Sequence, residues 1–484
     1  MLARILLALA AVSLGAGLAS GQSQPAPAAD LRLPAPCRNK AAEDLASLET
    51  RKERLERQIA KARAAKPGTE ETAAKQLTKS QATLLDVLFQ IQCHQVRQQS
   101  AEQQVASAQP APVDGVPVDR ARKRRAVRLD APQQGAPGGG EAQPPPPTRR
   151  AAGAVSADNV VEVTTYFATN RGLSGKSTPV AFYDAKVSPL SYGRAVVTIP
   201  STHTPGSLEL PSIWRLQLQP DPKRHFTLKA VDALTLDEAR AEMAGRLGQL
   251  PAKAILIYVH GYNMGFAETA MRTAQLAYDL DFPGLPFFFS WPSLAQVTGY
   301  LRDGESAQLS EDAFDQLLDD LARLPAGEIY VIAHSMGSRL VSQALRSRVN
   351  NGKSTARLRE LLLAAPDINA DLFRRTIAPK LQAMQGTQTT VYASSSDLAL
   401  MASKAVHGYR RVGETAGGVF VYPGFDTVDA SAASLAMRAF GHSYLTDSAA
   451  VLKDIKSLLR LKLPAKARGL AEAGIQPDIY WSIQ

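Results

Sequence analysis

Ala333-His334-Ser335-Met336-Gly337 is the segment of this sequence best suited to covalent chemistry. An apolar run, Ile329 to Ala333, precedes it, and a helical pattern starts near Gly337. Ser335 therefore falls on a tight strand-to-helix turn. Such a turn lifts the serine so that its hydroxyl is exposed, and the helix start aims backbone N–H groups at it. Small residues must flank the turn because the two backbones pass close together. The pattern G-x-S-x-G is met with alanine, the next smallest residue, at its first position. The chemistry predicted is nucleophilic attack on a carbonyl carbon.

A serine hydroxyl needs a base to take its proton. The chain has 7 His, and for a serine on this kind of turn the acid and then the histidine follow in sequence. That leaves His407 and His442; His442, beyond the last expected strand and before the final helix, is preferred. Two aspartates qualify as the acid that orients it. Asp397 ends the second strand after the serine and is preferred; Asp367 ends the first and is the alternative, or else an N-cap of the following helix. The run Ala254 to Val259 leads into His260-Gly261-Tyr262-Asn263, a loop able to turn toward the serine. Backbone N–H groups of Tyr262 and Met336 then form the expected oxyanion hole. His260 itself reads as structural.

These residues require a particular scaffold. Val160–Ala168, Ala195–Pro200 and Phe226–Val231 alternate as strands do. Ala254–Val259, Pro286–Ser290, Ile329–Ala333, Leu361–Ala364 and Thr389–Ala393 are short apolar runs, as expected for strands covered on both faces. Val419–Tyr422 reads as a last strand. Helical patterns intervene at Phe266–Leu280 and Glu311–Leu324, and Asp447–Leu461 closes the series. The alternation predicts an α/β unit with a mostly parallel sheet flanked by helices. The segment 291–310, with Trp291, Tyr300, Asp303 and Glu305, reads as a loop that either lines the site or is a salt-bridged surface.

His260-Gly-Tyr-Asn263, Ser290-Trp-Pro-Ser293, Ala333-His-Ser-Met-Gly337, Ala364-Ala-Pro-Asp367 and Gly441-His-Ser-Tyr444 together resemble the α/β-hydrolase superfamily. Within it they are most similar to a bacterial family of poorly characterised esterase- and lipase-like proteins. The resemblance covers roughly 160 to 462. It implies an α/β-hydrolase fold and a Ser–Asp–His hydrolase, with Ser335, Asp397 and His442 on the matching positions. It says little about substrate, because the fold hosts many chemistries.

The rest of the 484 residues has a different character. Of the 30 aromatic residues (3 Trp, 13 Tyr, 14 Phe) only Phe89 precedes residue 159, so the large core must lie in 159–484. Met1 to Gly21 carries one positive charge, an apolar stretch from Ile5 to Ala19 and a small-residue exit, which predicts a secretory signal peptide. An uncleaved anchor is the alternative. Residues 30–105 read as an antiparallel helical hairpin, like a coiled coil, turning at Lys66-Pro67-Gly68. Folded that way, Leu55 faces Leu77 and Leu48 faces Leu84. Cys37 and Cys93 meet at the open end, where a disulfide fits an oxidising compartment; two unrelated buried thiols are the alternative. Residues 106–158 read as a disordered Pro/Gly/Arg-rich linker, with nine prolines between 106 and 150.

The net charge is +10, with six of nine positions basic between Arg120 and Arg128. That run has no aromatic residue to stack on bases, so no nucleic-acid partner is expected; a solvated linker is favoured over an anion-binding patch. No cluster of His, Cys or carboxylates stands at metal-ligand spacing, and no metal or other cofactor is expected. The expectation is a periplasmic or secreted serine hydrolase acting on a small-molecule or lipid ester, or on a related amide or thioester. The rival is a cell-envelope interaction protein that uses the hairpin and basic linker, through self-association or envelope contact, with the hydrolase fold as scaffold.

Overall fold

The computed structural model describes residues 44–63, 87, 90, 154, 155, 160–210, 220–296, 299–395, 400, 403, 409–415, 417–435 and 447–483. The readings made for 1–21, Cys37, Cys93, Asp397, His407, His442 and the linker, apart from 154 and 155, fall outside these residues. Helix α1, Leu45–Arg63, lies within the segment read as the hairpin's first arm, and its Leu48 and Leu55 are buried, as is Val87. Among the described residues no helix is long and apolar enough to cross a membrane.

One 12-stranded sheet organises the remainder. In chain order the strands are β1 (Ala154–Val155), β2 (Val161–Leu173), β3 (Tyr183–Ile199), β4 (Thr227–Leu234), β5 (Ala254–Val259) and β6 (Leu285–Ser290). They continue with β7 (Glu328–His334), β8 (Leu358–Ala364), β9 (Gln388–Ala393), β10 (Phe425–Asp429), β11 (Ala471–Ile475) and β12 (Asp478–Ser482). Their spatial order is β11-β12-β10-β9-β8-β7-β5-β6-β2-β3-β4, with β1 paired on β2. Every pairing from β2 across to β12 is parallel, while β1, β3, β4 and β11 are antiparallel additions at the margins.

The central runs are apolar throughout because both of their faces are covered. On β5, Ile255, Ile257 and Val259 enter one core cluster, and Ala254, Leu256 and Tyr258 the other. β7 divides likewise, Ile329, Val331 and Ala333 against Tyr330 and Ile332. The first face is covered by α2 (Leu236–Gln249), α5 (Glu311–Leu321) and α6 (Met336–Asn350). The second is covered by α3 (Phe266–Asp279) and the terminal α7 (Ala449–Leu461). Each fully buried Leu or Phe contributes about 1.5–3 kcal/mol. The strands that end at the site are thus held rigidly from both sides.

The structure corrects several expectations. Val419–Tyr422 is not a strand. Phe420 is buried against the Phe373 ring at 5.4 Å, the chain turns at Tyr422–Phe425, and the sheet resumes as β10. The segment 291–310 is not a plain surface loop: it contains α4 (Tyr300–Gln308), with Trp291 and Asp303 fully buried and Arg302 and Glu305 exposed. Residues 154 and 155, read as linker, pair with β2. The strands β11 and β12 and the helix α2 were not anticipated.

Candidate active site

The chain enters β5 and crosses by α3 to β6 on one side, then passes by α4 and α5 to β7 on the other. The carboxyl ends of β5 and β7 therefore flank a topological switch point, where open α/β sheets bind ligands. Ser335 stands at that point, between the end of β7 and the first residue of α6. Its φ of +53° and ψ of −120° lie in a region that costs a non-glycine residue about 1–3 kcal/mol.

Neighbouring backbone holds the strained turn. Ser335 N–H donates to Ala364 O (2.8 Å), while Ser335 O accepts from Ser338 N (3.0 Å) and Asp367 N (3.2 Å). Ser338 Oγ donates to Ala333 O (2.7 Å). Two glycines allow the close approach. A Cβ on Gly337 would fall 2.3 Å from His260 O, and one on Gly261 would fall 2.8 Å from Ser335 Cβ. This packing also corrects an expectation: Ser335 is only 3% exposed, because the loop after β5 lies over it. Met336 is the first residue of α6, so its amide has no acceptor within the helix and lies at the positive end of the helix dipole.

The loop after β5 is held by buried polar groups on both sides. His260 is fully buried and stacked on Trp291 (4.7 Å, 13°), and Trp291 Nε1 donates to His260 O (2.8 Å). Burial, and next the positive charge of Arg171, hold the His260 pKa well below its ordinary value, so the ring is neutral. Its Nδ1 lies 2.7 Å from Gly261 O and its Nε2 3.1 Å from Trp291 O. The reading of His260 as structural holds in the sense that both ring nitrogens face main-chain groups. Asp303 accepts from Asn263 N (3.2 Å), Leu294 N (2.8 Å) and Ser293 Oγ (2.6 Å). Burial raises its pKa against those hydrogen bonds. Met264 N donates to Ser293 Oγ (3.2 Å).

Asp367 sits at the same end of the sheet, 2% exposed, and both its oxygens are engaged. Oδ1 accepts from Ser403 Oγ (2.5 Å) and pairs with Arg411 Nε (3.2 Å); Oδ2 accepts from the Tyr300 hydroxyl. Burial and the Asp367 charge push the Tyr300 pKa well up, which keeps the phenol protonated as a donor. The Tyr300 ring packs edge-on against Tyr262 at 5.3 Å. The helix that follows is capped by Asn369, whose side chain accepts from Asp371 N and Leu372 N, and not by Asp367. The structure thus brings Ser335, Tyr262, Met336 and Asp367 to one end of the sheet. Asp397 follows the described Ser394 and Ser395 at the end of β9, and it and His442 are themselves outside the described residues.

Sequence reasoning missed Thr169, Asn170 and Arg171, all buried at the carboxyl end of β2. Thr169 Oγ1 donates to Ser290 O (2.5 Å), and Asn170 Nδ2 to Ser310 Oγ (2.9 Å). A polar triplet, Thr169-Asn170-Arg171, near the end of a strand was the available signal. Among the described residues no three His, Cys, Asp or Glu side chains group so as to hold a metal ion.

Residues 235–460 match a family described as alpha/beta hydrolase of unknown function (DUF900). No curated protein matches the chain. Among solved structures, the chain is similar to an inhibited esterase B from Lactobacillus rhamnosis. The identity is 10%, the match covers 53% of this chain and 74% of that one, and the TM-score is 0.21.

Proposed function

We propose that this chain, whose residues 235–460 match a family described as alpha/beta hydrolase of unknown function, is a serine hydrolase cleaving a carboxylic ester or a related acyl bond. The carrying observation is the left-handed turn at Ser335, set at the amino end of α6 and at the sheet's switch point. Strain of that kind at a serine, braced by backbone from β8, is what a nucleophile on this fold requires. Ser335 Oγ attacks the acyl carbon, and His442 takes its proton and returns it to the departing alcohol. Asp397 orients and stabilises the imidazolium, and the amides of Tyr262 and Met336 receive the oxyanion. Water then attacks the acyl-enzyme, with His442 again as base. Asp367 is less suited to orient a histidine, since Tyr300, Ser403 and Arg411 already occupy its oxygens.

The proposal includes a periplasmic or secreted location, from the character of residues 1–21, and a small-molecule or lipid ester as substrate. A fluorophosphonate probe applied to the full chain tests it, together with chromogenic esters of increasing acyl length. The expected result is labelling at Ser335 and hydrolysis lost in Ser335→Ala. A native protein that neither labels nor hydrolyses would sink the proposal and favour the envelope scaffold.

A further inference from the structure

We infer that Arg171 is the positioning residue of the oxyanion hole, acting through the His260 ring on the peptide that carries the Tyr262 N–H. The inference rests on the serine-hydrolase reading for its catalytic consequence, though its geometry stands apart from that reading. Arg171 is 3% exposed at the carboxyl end of β2, two strands away from β5. Nε donates to Ser290 Oγ (2.8 Å), Nη1 to Ser293 O (2.9 Å) and Nη2 to Met264 O (2.9 Å). Nη1 also reaches Asp184 O (3.4 Å). Among the described residues no carboxylate forms a direct ion pair with this guanidinium. A buried cation without one is costly, and a well-packed apolar residue of similar volume serves stability equally well or better. What the guanidinium supplies is a set of fixed donors to the loops after β5 and β6.

The remaining contact gives the role. Nη2 lies 3.4 Å from His260 Nε2. A guanidinium can only donate, so a hydrogen bond here makes Nε2 the accepting nitrogen of the neutral ring and puts the proton on Nδ1. From there it is donated to Gly261 O at 2.7 Å. Trp291 O, 3.1 Å from Nε2, favours the opposite tautomer; the shorter Gly261 contact and the adjacent positive charge outweigh it. Gly261 C=O and Tyr262 N–H belong to one planar peptide and point in opposite directions. Holding the carbonyl therefore aims the amide. On the far side of Tyr262, Asp303 takes Asn263 N–H and Arg171 donates to Met264 O, so the loop is held at both ends of Tyr262 and Arg171 contributes to both.

The test uses the full chain with histidine labelled in 15N, and compares wild type with Arg171→Met and Arg171→Lys. Long-range 15N–1H spectra read which nitrogen of His260 bears the proton. Turnover of p-nitrophenyl butyrate gives kcat and KM, and a trifluoromethyl ketone reports the hole itself. In Arg171→Met the proton should move to Nε2. The kcat should fall about 100-fold, near the loss of one oxyanion donor, with KM within about threefold and ketone affinity falling in step with kcat. Arg171→Lys should keep the Nδ1 proton and recover most of the rate. Should Arg171→Met not fold, Arg171→Gln, a neutral donor of similar reach, carries the same comparison. The inference is overturned if His260 keeps its Nδ1 proton without the guanidinium, or if KM rises while kcat stays. A wild type without esterase activity would instead sink the serine-hydrolase reading, and the tautomer measurement would still decide what Arg171 does.

Discussion

At the carboxyl ends of β2, β5 and β6 the buried polar side chains mostly hold main chain, while along β8 to β10 they hold one another. In the first region Arg171 donates to the carbonyls of Ser293 and Met264, and Asp303 accepts the amides of Asn263 and Leu294. In the second, Arg468 lies 3.3 Å from Asp454 and 3.8 Å from Asp426. Tyr392 donates to Asp454 (2.5 Å), and Thr390 to Glu360 (2.7 Å). Side chains bonded to side chains clamp α7 onto the sheet. Side chains bonded to loop backbone fix where amide dipoles point, which is what catalysis on this fold needs. Buried charge alone does not mark a site; what it is bonded to does.

The largest expected effect falls on the first region. Ser335→Ala should reduce ester turnover by about 10⁴-fold or more. The thermal midpoint should barely change, since one buried hydroxyl is lost from a turn whose braces are main-chain bonds. Residual turnover above about a tenth of wild type would put the nucleophile elsewhere.

Next in size is the contrast between the two aspartates. Asp397→Asn should lower kcat by about 10⁴-fold with little change in stability, because an amide cannot stabilise an imidazolium. Asp367→Asn should do the opposite. It leaves Arg411 buried without its charge partner, a loss of about 3–5 kcal/mol, while kcat among folded molecules falls less than about tenfold. Urea unfolding and turnover measured on both variants decide it. Reversed results would mean that the acid follows β8 rather than β9.

How much of this the sequence disclosed follows from the same contrast. β5 to β9 were legible because strands buried on both faces read as plain apolar runs. β10 was not: Phe425-Asp-Thr-Val-Asp429 carries Asp426 into the second cluster, and charge inside a strand hides it beside the more apolar Val419–Tyr422. α2 was missed although Thr235 and Glu238 form a capping box, since only Ala239, Met243 and Leu247 are buried. β11 and β12 are short marginal strands with little burial to leave a pattern. That Ser335, Tyr262 and Met336 stand together at one end of the sheet was legible from local spacing. Tyr300 and Asp303 were legible only as members of a segment that either lines the site or is a surface, and Arg171 was not legible, because it acts on residues far away in sequence.

The smallest effect on catalysis, and the one that isolates the second region, is Glu360→Gln. Burial is the largest influence on this carboxyl and raises it to about 8 against the opposing Thr390 hydrogen bond and Arg468 charge. In the unfolded chain it ionises near its ordinary value of 4.5. The folded state therefore holds the proton more tightly, and the group's contribution to stability is present in full below pH 4.5. That contribution is lost as pH rises toward 8. The glutamine variant cannot ionise. Its stability relative to wild type should be near zero at pH 4.5 and favourable by a few kcal/mol at pH 8. Unfolding by urea across that range reads the difference, and turnover should stay within about twofold throughout. A glutamine variant equally destabilised at every pH would show that Glu360 is charged in the fold and paired with Arg468. The second cluster would then be an ion-pair clamp, not one closed around a protonated acid.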